Sequence, residues 1–545
     1  MSSTGSRTET APASTTPRAP WAPRLTALLP LLSALLLALA TPGNGGGVWA
    51  FASLCALLPW AVFLGRTGRG WVVPIYLAGA VHTAAYSWSI RHVPGPGFWI
   101  LTLVGPLVYW LPGAVLFRRL AVWVSPTWAT ALAWTANEWL RAHFLSVPYP
   151  HAQLCHALYQ QPDLLAGAAW WGETGLTLVL AAVSGLGASV FGHWAVARPR
   201  RGALVRDGVL VAALLLVPVL LAPHRSGAQP GKPVQFLAVQ PGIVGEALVT
   251  EGVQTAILKA LVGPTSDAVA SSRTRPDLIV WPESALAMSL HGDPREQQFL
   301  AELGRTLLAR DRYLLLGTQA DAPDAVTAGN ARRHRVVAVL LDQAGAVLGS
   351  HEKLLLVPGG ECIPFLDALP EGLQRAVLEF IGSLSGQRMV PTMVPGRSRP
   401  PLELPGKAVP FAAMLCFDNA FPEPFAAQAQ AGAQFFCVLS NEAWYQGGNE
   451  LDQLEACTVL RALETGRPIL RVTMDGVTCL VASDGSVTAR ASHEGRDRRV
   501  AATLSGVLLP DRGFRLATWL GPWLGPLSWA VSLALLALGW RMRTT

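Results

Sequence analysis

Hydrophobic positions along the chain follow two regimes. Before residue 223 they form near-continuous apolar runs, near residues 25–41, 47–65, 71–90, 98–117, 120–140, 164–195 and 207–222, and another run near 521–540 closes the chain. Roughly 20 apolar residues suffice to cross a bilayer as a helix, the form in which every backbone group is satisfied internally. The pattern predicts seven spans, an intervening domain and a last span. From 223 to 515 the runs shorten and alternate with amphipathic stretches. Strands are predicted at Val234 to Val239, Leu278 to Trp281, Tyr313 to Thr318, Val336 to Leu341, Ala412 to Phe417, Phe435 to Leu439, Ile469 to Met474, Val477 to Ala482 and Val500 to Leu504. Helices are predicted near 247–262, 294–309, 366–383, 422–432 and 449–465. Such alternation implies an α/β domain with helix-covered sheets. Pro391 to Pro405, rich in Pro and Gly, reads as a mobile loop.

Composition agrees with the membrane reading, because only 14% of residues are charged where soluble proteins carry about 25%. The net charge of +7 raises the question of nucleic acid, and its distribution answers it. Residues 1–222 contain thirteen Arg, no Lys and five acidic residues (Glu9, Glu138, Asp163, Glu173 and Asp207), whereas residues 223–515 are mildly acidic. The basic excess belongs to the apolar part, so a nucleic-acid surface has no support. Fourteen of the twenty Trp lie in residues 1–222, as expected for rings at a membrane interface. Cytoplasmic loops keep positive charge. With the tail bearing Arg7, Arg18 and Arg24 inside, alternate loops carry Arg66 and Arg69, then Arg118 and Arg119, then Arg198, Arg200, Arg201 and Arg206, and finally Arg541 and Arg543. The expected organisation is a cytoplasmic tail (1–24), a seven-helix membrane domain (25–222), an extracytoplasmic domain (223–515), and a last span with a short cytoplasmic tail (516–545). Ala38-Leu39-Ala40 resembles a signal-peptidase site, but another span follows at once, which disfavours cleavage.

Seven cysteines (Cys55, Cys155, Cys362, Cys416, Cys437, Cys457 and Cys479) include no CxxC pair and do not look like a disulfide framework. Reactive groups stand at three strand ends. A buried strand from Asp277 stops at Pro282 and delivers Glu283, His351-Glu352-Lys353 follows another strand and leads to Glu361, and an apolar strand from Phe411 ends on Cys416-Phe417-Asp418-Asn419. Singly, each fits a core thiol or a solvated charge. Together they supply a thiol, a carboxylate to take its proton and a cation to stabilise thiolate and oxyanion. His151 and His156 with Glu173 lack a third close ligand for a metal and read as structural. Glu138, Arg141 and Glu173 near span ends read either as lining a lipid route or as pairing at the interface.

These residues resemble the nitrilase-like carbon-nitrogen hydrolases, whose Glu-Lys-Cys triad comes in this chain order, and within them the apolipoprotein N-acyltransferases of the bacterial inner membrane. The matching stretches are Ile279 to Glu283, Lys353 through Val357-Pro358 to Gly360-Glu361, Leu415-Cys416, Leu439 to Trp444, Arg461 to Glu464, Gly466-Arg467-Pro468, Gly476-Val477, and Glu138 to Arg141 in the membrane part. The resemblance implies a polytopic α-helical membrane domain plus a nitrilase-like αββα sandwich. It implies Glu283 as general base, Lys353 as oxyanion-stabilising cation, Cys416 as acylated nucleophile, and Glu361 and Asp418 as supporting carboxylates. This chain departs from the family at Phe417 and Asp418, where Tyr and Glu are usual, at Gly359, where Phe is usual, and in having no Trp over residues 243–262.

The implied reaction is ping-pong acyl transfer from a phospholipid through a Cys416 thioester to the α-amine of a diacylglyceryl-cysteine at a lipoprotein's N-terminus. It calls for no cofactor and no metal, and for a monomer in the membrane. Two alternatives stand beside it. A membrane-anchored amidase or nitrilase would use the same triad with water as acceptor, but it leaves most spans idle. A transporter or receptor with an exported binding domain would be expected to carry midplane charges, and the spans hold few.

Overall fold

The computed structural model describes residues 23–544 except 94, 146, 192–200, 222–230, 246–251, 272–274, 287, 291–292, 309–310, 324–332 and 386–391. The expected division at 222 and 223, the start of the helix expected at 247, Pro391, and Arg7, Arg18, Arg198 and Arg200 lie outside the described residues.

The apolar runs fold as helices. Gly47–Arg66, Gly97–Leu120, Ala168–Phe191, Arg201–Leu220 and Ala517–Leu538 are long and apolar enough to cross a membrane, and Leu29–Ala40 and Val72–Tyr86 are shorter apolar helices. The fifth expected run begins later than its apolar pattern, at Pro126–His143, because Pro126 suits a first helical turn and its ring presets the backbone. Gly97–Leu120 breaks at Tyr109, where Pro112 cannot donate to the carbonyl of Val108. Ala168–Phe191 kinks at Gly172, whose φ of +66° is tolerable only without a Cβ.

Thirteen strands are formed among the described residues: β1 (Val234–Gln240), β2 (Leu278–Val280), β3 (Ser289–Leu290), β4 (Tyr313–Asp321), β5 (His334–Leu341), β6 (Val347–Glu352), β7 (Leu402–Leu404), β8 (Val409–Leu415), β9 (Phe436–Ser440), β10 (Ile469–Thr473), β11 (Cys479–Val481), β12 (Val487–Arg490) and β13 (Ala502–Leu508). One sheet has the order β13-β1-β2-β4-β5-β6 with β3 beside β4, and the other β12-β11-β10-β9-β8-β7. Parallel pairing is central in both, at β1-β2-β4 and β8-β9-β10, the two-residue β3 is also parallel to β4, and the other outer strands are antiparallel.

Strand alternation sorts the side chains into layers. Val234, Phe236 and Ala238 of β1 meet Phe411, Ala413, Leu415, Cys437 and Leu439 between the sheets. Leu237 and Val239 turn outward against Ile257 and Leu261 of helix Val253–Ser271 and Leu300 and Leu303 of helix Pro294–Leu307. On the other side, Ala412, Met414, Phe436 and Val438 join helices Pro422–Gln430 and Glu450–Thr465 in one core with the membrane helices. The result is an αββα sandwich whose second helical layer is shared with the membrane domain. Strands buried on both faces explain the near-continuous apolar runs.

Three expectations need correction. Cys416 lies outside β8, which ends at Leu415. His351 and Glu352 lie inside a strand, β6, rather than after one. The Pro-rich stretch is tied down: Leu402–Leu404 pairs with β8, and the N–H groups of Val394 and Gly396 donate to the carbonyls of His334 (3.0 Å) and Lys353 (2.7 Å). In addition, the helix expected at 366–383 splits before Pro370, which disfavours helical geometry at Leu369, and resumes as Glu371–Ser385.

Candidate active site

Four strand ends converge. At the exit of β2, Trp281 donates its backbone N–H to Leu315 (2.9 Å) and Pro282 accepts from Gly317 (3.2 Å), which turns Glu283 into the space between the sheets' edges. Gly317 permits the approach, since a Cβ there would fall 2.5 Å from the Cα of Glu283. At the exit of β6, Lys353 is fully buried, its N–H held by Val336 (2.9 Å). Its ammonium lies 3.0 Å from Glu283 Oε1 and 2.5 Å from Glu361 Oε1. The second oxygen of each carboxylate is also occupied: Glu283 Oε2 accepts the N–H of Asn441 at the exit of β9 (3.0 Å), and Glu361 Oε2 accepts that of Val357 (3.0 Å). Gly359, at φ +79°, closes the intervening turn by donating to Cys362 (2.8 Å). The site thus tolerates glycine there because the turn needs that conformation.

Cys416 opens a short 3-10 turn, Cys416–Ala420, at φ +46°. A non-glycine residue in the left-handed region costs roughly 1–3 kcal/mol and needs firm surroundings. Asp418 supplies part of them: its carboxylate accepts the N–H groups of Leu354 (3.1 Å), Leu355 (2.9 Å) and Leu415 (3.3 Å). That ties the segment after Lys353 to the nucleophile's turn. Phe417 packs with Phe421, Cys457, Leu355 and Val357, and its ring meets that of His151.

Burial dominates the electrostatics. It pushes the Cys416 thiol up to about 12, with Glu283 adding to the rise and Lys353 opposing it. It also raises Glu283, where Lys353 pulls back and Glu361 pushes further. Burial disfavours the Lys353 ammonium, yet Glu283, Glu361 and Cys416 together hold it well above the usual lysine range. Burial lifts Asp418 to about 7 against Lys353 and its N–H donors. The thiol therefore rests protonated at neutral pH and needs a base to become a nucleophile. A carboxylate, an ammonium and a thiol buried together are equipped for acyl chemistry.

The five residues singled out from sequence (Glu283, Lys353, Glu361, Cys416 and Asp418) meet in this pocket. The others do not enter it. Glu138 accepts from Trp134 (2.8 Å) and the N–H of Leu154 (3.1 Å), and Arg141 donates to the carbonyl of Ala152 (3.2 Å), so both shape the loop that carries His151 rather than face lipid. His151 pairs with Glu450 and His156 with Glu173, each at 3.2 Å. Sequence reasoning passed over Arg471, a cation within the fully buried β10; a charge inside an all-buried strand was the available signal.

The pattern of the carbon-nitrogen hydrolase family matches residues 246–505, and that of the apolipoprotein N-acyltransferase N-terminal domain matches residues 33–186. Similar curated proteins include the apolipoprotein N-acyltransferase of Sinorhizobium medicae, 27% identical over 74% of this chain and 72% of its own length. That of Azotobacter vinelandii is 29% identical over 87% of this chain and 86% of its own. Among solved structures, Nit3 of Saccharomyces cerevisiae, a member of branch 10 of the nitrilase superfamily, aligns at 15% identity and TM-score 0.35, covering 51% of this chain and 91% of its own.

Proposed function

The chain belongs to the apolipoprotein N-acyltransferase family, a nitrilase-like domain joined to a helical membrane domain, and on that premise we propose that it N-acylates lipoproteins, with phospholipid as acyl donor and Cys416 as acyl carrier. The observation that carries the reading is the fully buried ammonium of Lys353 bridging Glu283 and Glu361 beside that thiol. In the first half-reaction Glu283 takes the Cys416 proton and sulfur attacks the acyl carbonyl. Lys353 and backbone N–H groups hold the tetrahedral oxyanion. Its collapse breaks the ester bond, and the departing lysophospholipid oxygen takes the proton back from Glu283. In the second, the unprotonated α-amine of a diacylglyceryl-cysteine attacks the thioester, passes its proton to Glu283, and forms the amide as the thiol is regenerated. Glu361 and Asp418 hold Lys353 and the Cys416 turn in place.

The proposed setting is the bacterial inner membrane, with residues 1–24 cytoplasmic, 25–222 and 516–545 in or at the membrane, and 223–515 on the periplasmic side, acting as a monomer. Charge placement supports this orientation. Arg118 donates to the carbonyls of Leu64 (3.0 Å), Thr67 (2.5 Å) and Gly68 (3.0 Å), so the Arg66–Arg69 and Arg118–Arg119 loops share one end of the helices. Asn449 of the α/β domain binds the backbone of Ala85 (2.9 Å), at the end of Val72–Tyr86 remote from Arg69.

The test is the intact mass of the purified protein after incubation with phospholipid, then with lipopeptide. An acyl adduct on Cys416 is expected, stable in phospholipid alone and discharged by a diacylated lipopeptide with a free N-terminal amine but not by its N-blocked form. Rapid release of free fatty acid without lipopeptide would instead assign the chain to the hydrolases. No adduct under any condition would remove Cys416 from the chemistry.

A further inference from the structure

Behind the nucleophile runs a line of buried polar groups that the reaction above leaves without a role. β8 and β9 run parallel with Leu415 opposite Leu439, so Cys416 and Ser440, the last residue of β9, stand side by side, and the Ser440 hydroxyl favours the thiolate form of Cys416. Ser440 Oγ donates to Glu442 Oε1 at 2.8 Å. The same oxygen accepts from Nη2 of Arg471. Arg471 Nη1 donates to Thr458 Oγ1 (3.2 Å), which accepts from Nδ2 of Asn419 (3.0 Å), three residues beyond the nucleophile on its own turn. Ser440, Glu442, Arg471, Thr458 and Asn419 are all fully buried. The line therefore leaves Cys416 on one side and returns to its turn on the other. Room for it is kept by Gly476, where a Cβ would collide with Glu442 Oε2.

A buried Arg-carboxylate pair is a poor source of net stability, because desolvation consumes much of the Coulomb gain. Packing alone does not account for it beside a thiol that must ionise. Ser440 has one hydroxyl proton, and in the resting enzyme Glu442 holds it. When Cys416 loses its own proton, the thiolate competes for the Ser440 proton. The guanidinium of Arg471 weakens the hold of Glu442 by neutralising it, so the hydroxyl can swing toward sulfur.

We propose that Ser440, Glu442 and Arg471 are positioning residues for the nucleophile, the pair of charges governing whether the Ser440 hydroxyl is free to support the Cys416 thiolate. The proposal rests on Cys416 being the acylated residue, but its test does not need acyl transfer. The other titratable groups facing the thiol are Glu283, Lys353, Glu361 and Tyr445, with Asp418 on its own turn; Cys479 is the further titratable neighbour of Arg471. These remain constant in the variants below.

The experiment is alkylation of Cys416 by iodoacetamide in the full-length protein in detergent, followed by peptide mass over pH 7 to 9, with unfolding temperature measured in parallel. Below its midpoint, the alkylation rate tracks the thiolate fraction. Arg471→Met leaves Glu442 uncompensated and is expected to slow alkylation about tenfold, whereas Glu442→Gln leaves the cation and frees the hydroxyl, accelerating it about tenfold. Arg471→Lys should stay near wild type, and Ser440→Ala should slow alkylation several-fold without a large loss of fold. Opposite signs for the two charge variants are the signature, since simple structural damage moves both the same way. Equal direction, or no change, in the Met and Gln variants overturns the proposal. Should Arg471→Met not fold, an unchanged rate in Glu442→Gln or Ser440→Ala overturns it equally. Loss of acyl transfer with wild-type alkylation behaviour would count against the proposed reaction and leave this support intact.

Discussion

Replacing Lys353 with Met keeps most of the buried stem and deletes its charge. In the protein the ammonium touches Glu283 at 3.0 Å and Glu361 at 2.5 Å with no solvent exposure. Without it the buried carboxylate of Glu283 and the partly exposed one of Glu361 lose the cation between them. Breaking a buried ion pair by removing one partner costs about 3–5 kcal/mol. Here Glu283, raised by burial and no longer held down by Lys353, can take up a proton, so a net stability loss of about 2–3 kcal/mol is expected. The kinetic effect is larger. Loss of an oxyanion partner costs about 10²- to 10³-fold, and a proton taken up by Glu283 disables a base whose contribution is about 10²- to 10⁴-fold. Groups acting as a unit do not add, so thioester formation should fall by about 10³- to 10⁴-fold, or about 4–5.5 kcal/mol in barrier. The assay is the rate of acyl-adduct formation on Cys416 by intact mass, beside thermal unfolding. A folded Lys353→Met protein that acylates within tenfold of wild type would refute the reasoning.

Cys416→Ala should abolish the adduct, whereas Cys437→Ala should retain it, because Cys437 lies in the core between the sheets; mapping the adduct by mass checks both. Since burial, and then Glu361, raise Glu283, the acid limb of thioester formation should lie above the usual carboxylate pKa of about 4.3. Activity is then lost as pH falls through that raised value, and Glu361→Gln should move the limb downward in a pH-rate profile. Gly172→Ala puts a Cβ 3.2 Å from the Cα of Gly521 at a φ of +66°, so a loss of roughly 1–3 kcal/mol is expected in thermal unfolding.

Local chemistry was the readable part of the fold. Strands buried on both faces give unbroken apolar runs, and β1, β2, β9 and β10 were found within a residue or two of their limits. The short edge strands β3, β7 and β12 were not, since two to four residues of mixed polarity carry no period to detect. Strand ends drew attention to Glu283, Lys353 and Cys416 because polar residues interrupted apolar runs. What could not be read was the pairing of distant residues: Asn441 against Glu283, or Asp418 against Leu354, depends on which strands lie side by side. The conformation of Cys416 was equally hidden, because a positive φ at a non-glycine residue is imposed by its surroundings rather than by the residue itself.

The same long-range pairings explain why the α/β unit is built into the membrane domain rather than tethered to it. Glu173, beside the Gly172 kink, accepts from Nη2 of Arg461 at 2.6 Å and from Gln153 at 3.1 Å, and its own N–H donates to Glu464 at 2.6 Å. Arg461 and Glu464, both buried, belong to helix Glu450–Thr465 of the α/β domain. Undocking the domains without solvent replacing these contacts would leave ions unpaired, at several kcal/mol each, so the helix is keyed to one height along the membrane helices. That helix also carries Thr458 and the Leu454 carbonyl, which Asn419 binds at 3.0 and 2.8 Å on the nucleophile's turn. A continuous path therefore runs from a membrane helix through Arg461 to Cys416. On the proposed reaction, both substrates are anchored in a bilayer and present their reacting carbonyl or amine at a depth set by their own headgroups. A thiol on a flexible tether would sample that depth only occasionally, whereas one keyed to the membrane helices is held at a single level. Shifting the key, as by Arg461→Lys, should then weaken transfer from bilayer lipid more than transfer from a short-chain donor free in solution, and equal losses on both would detach the lock from function.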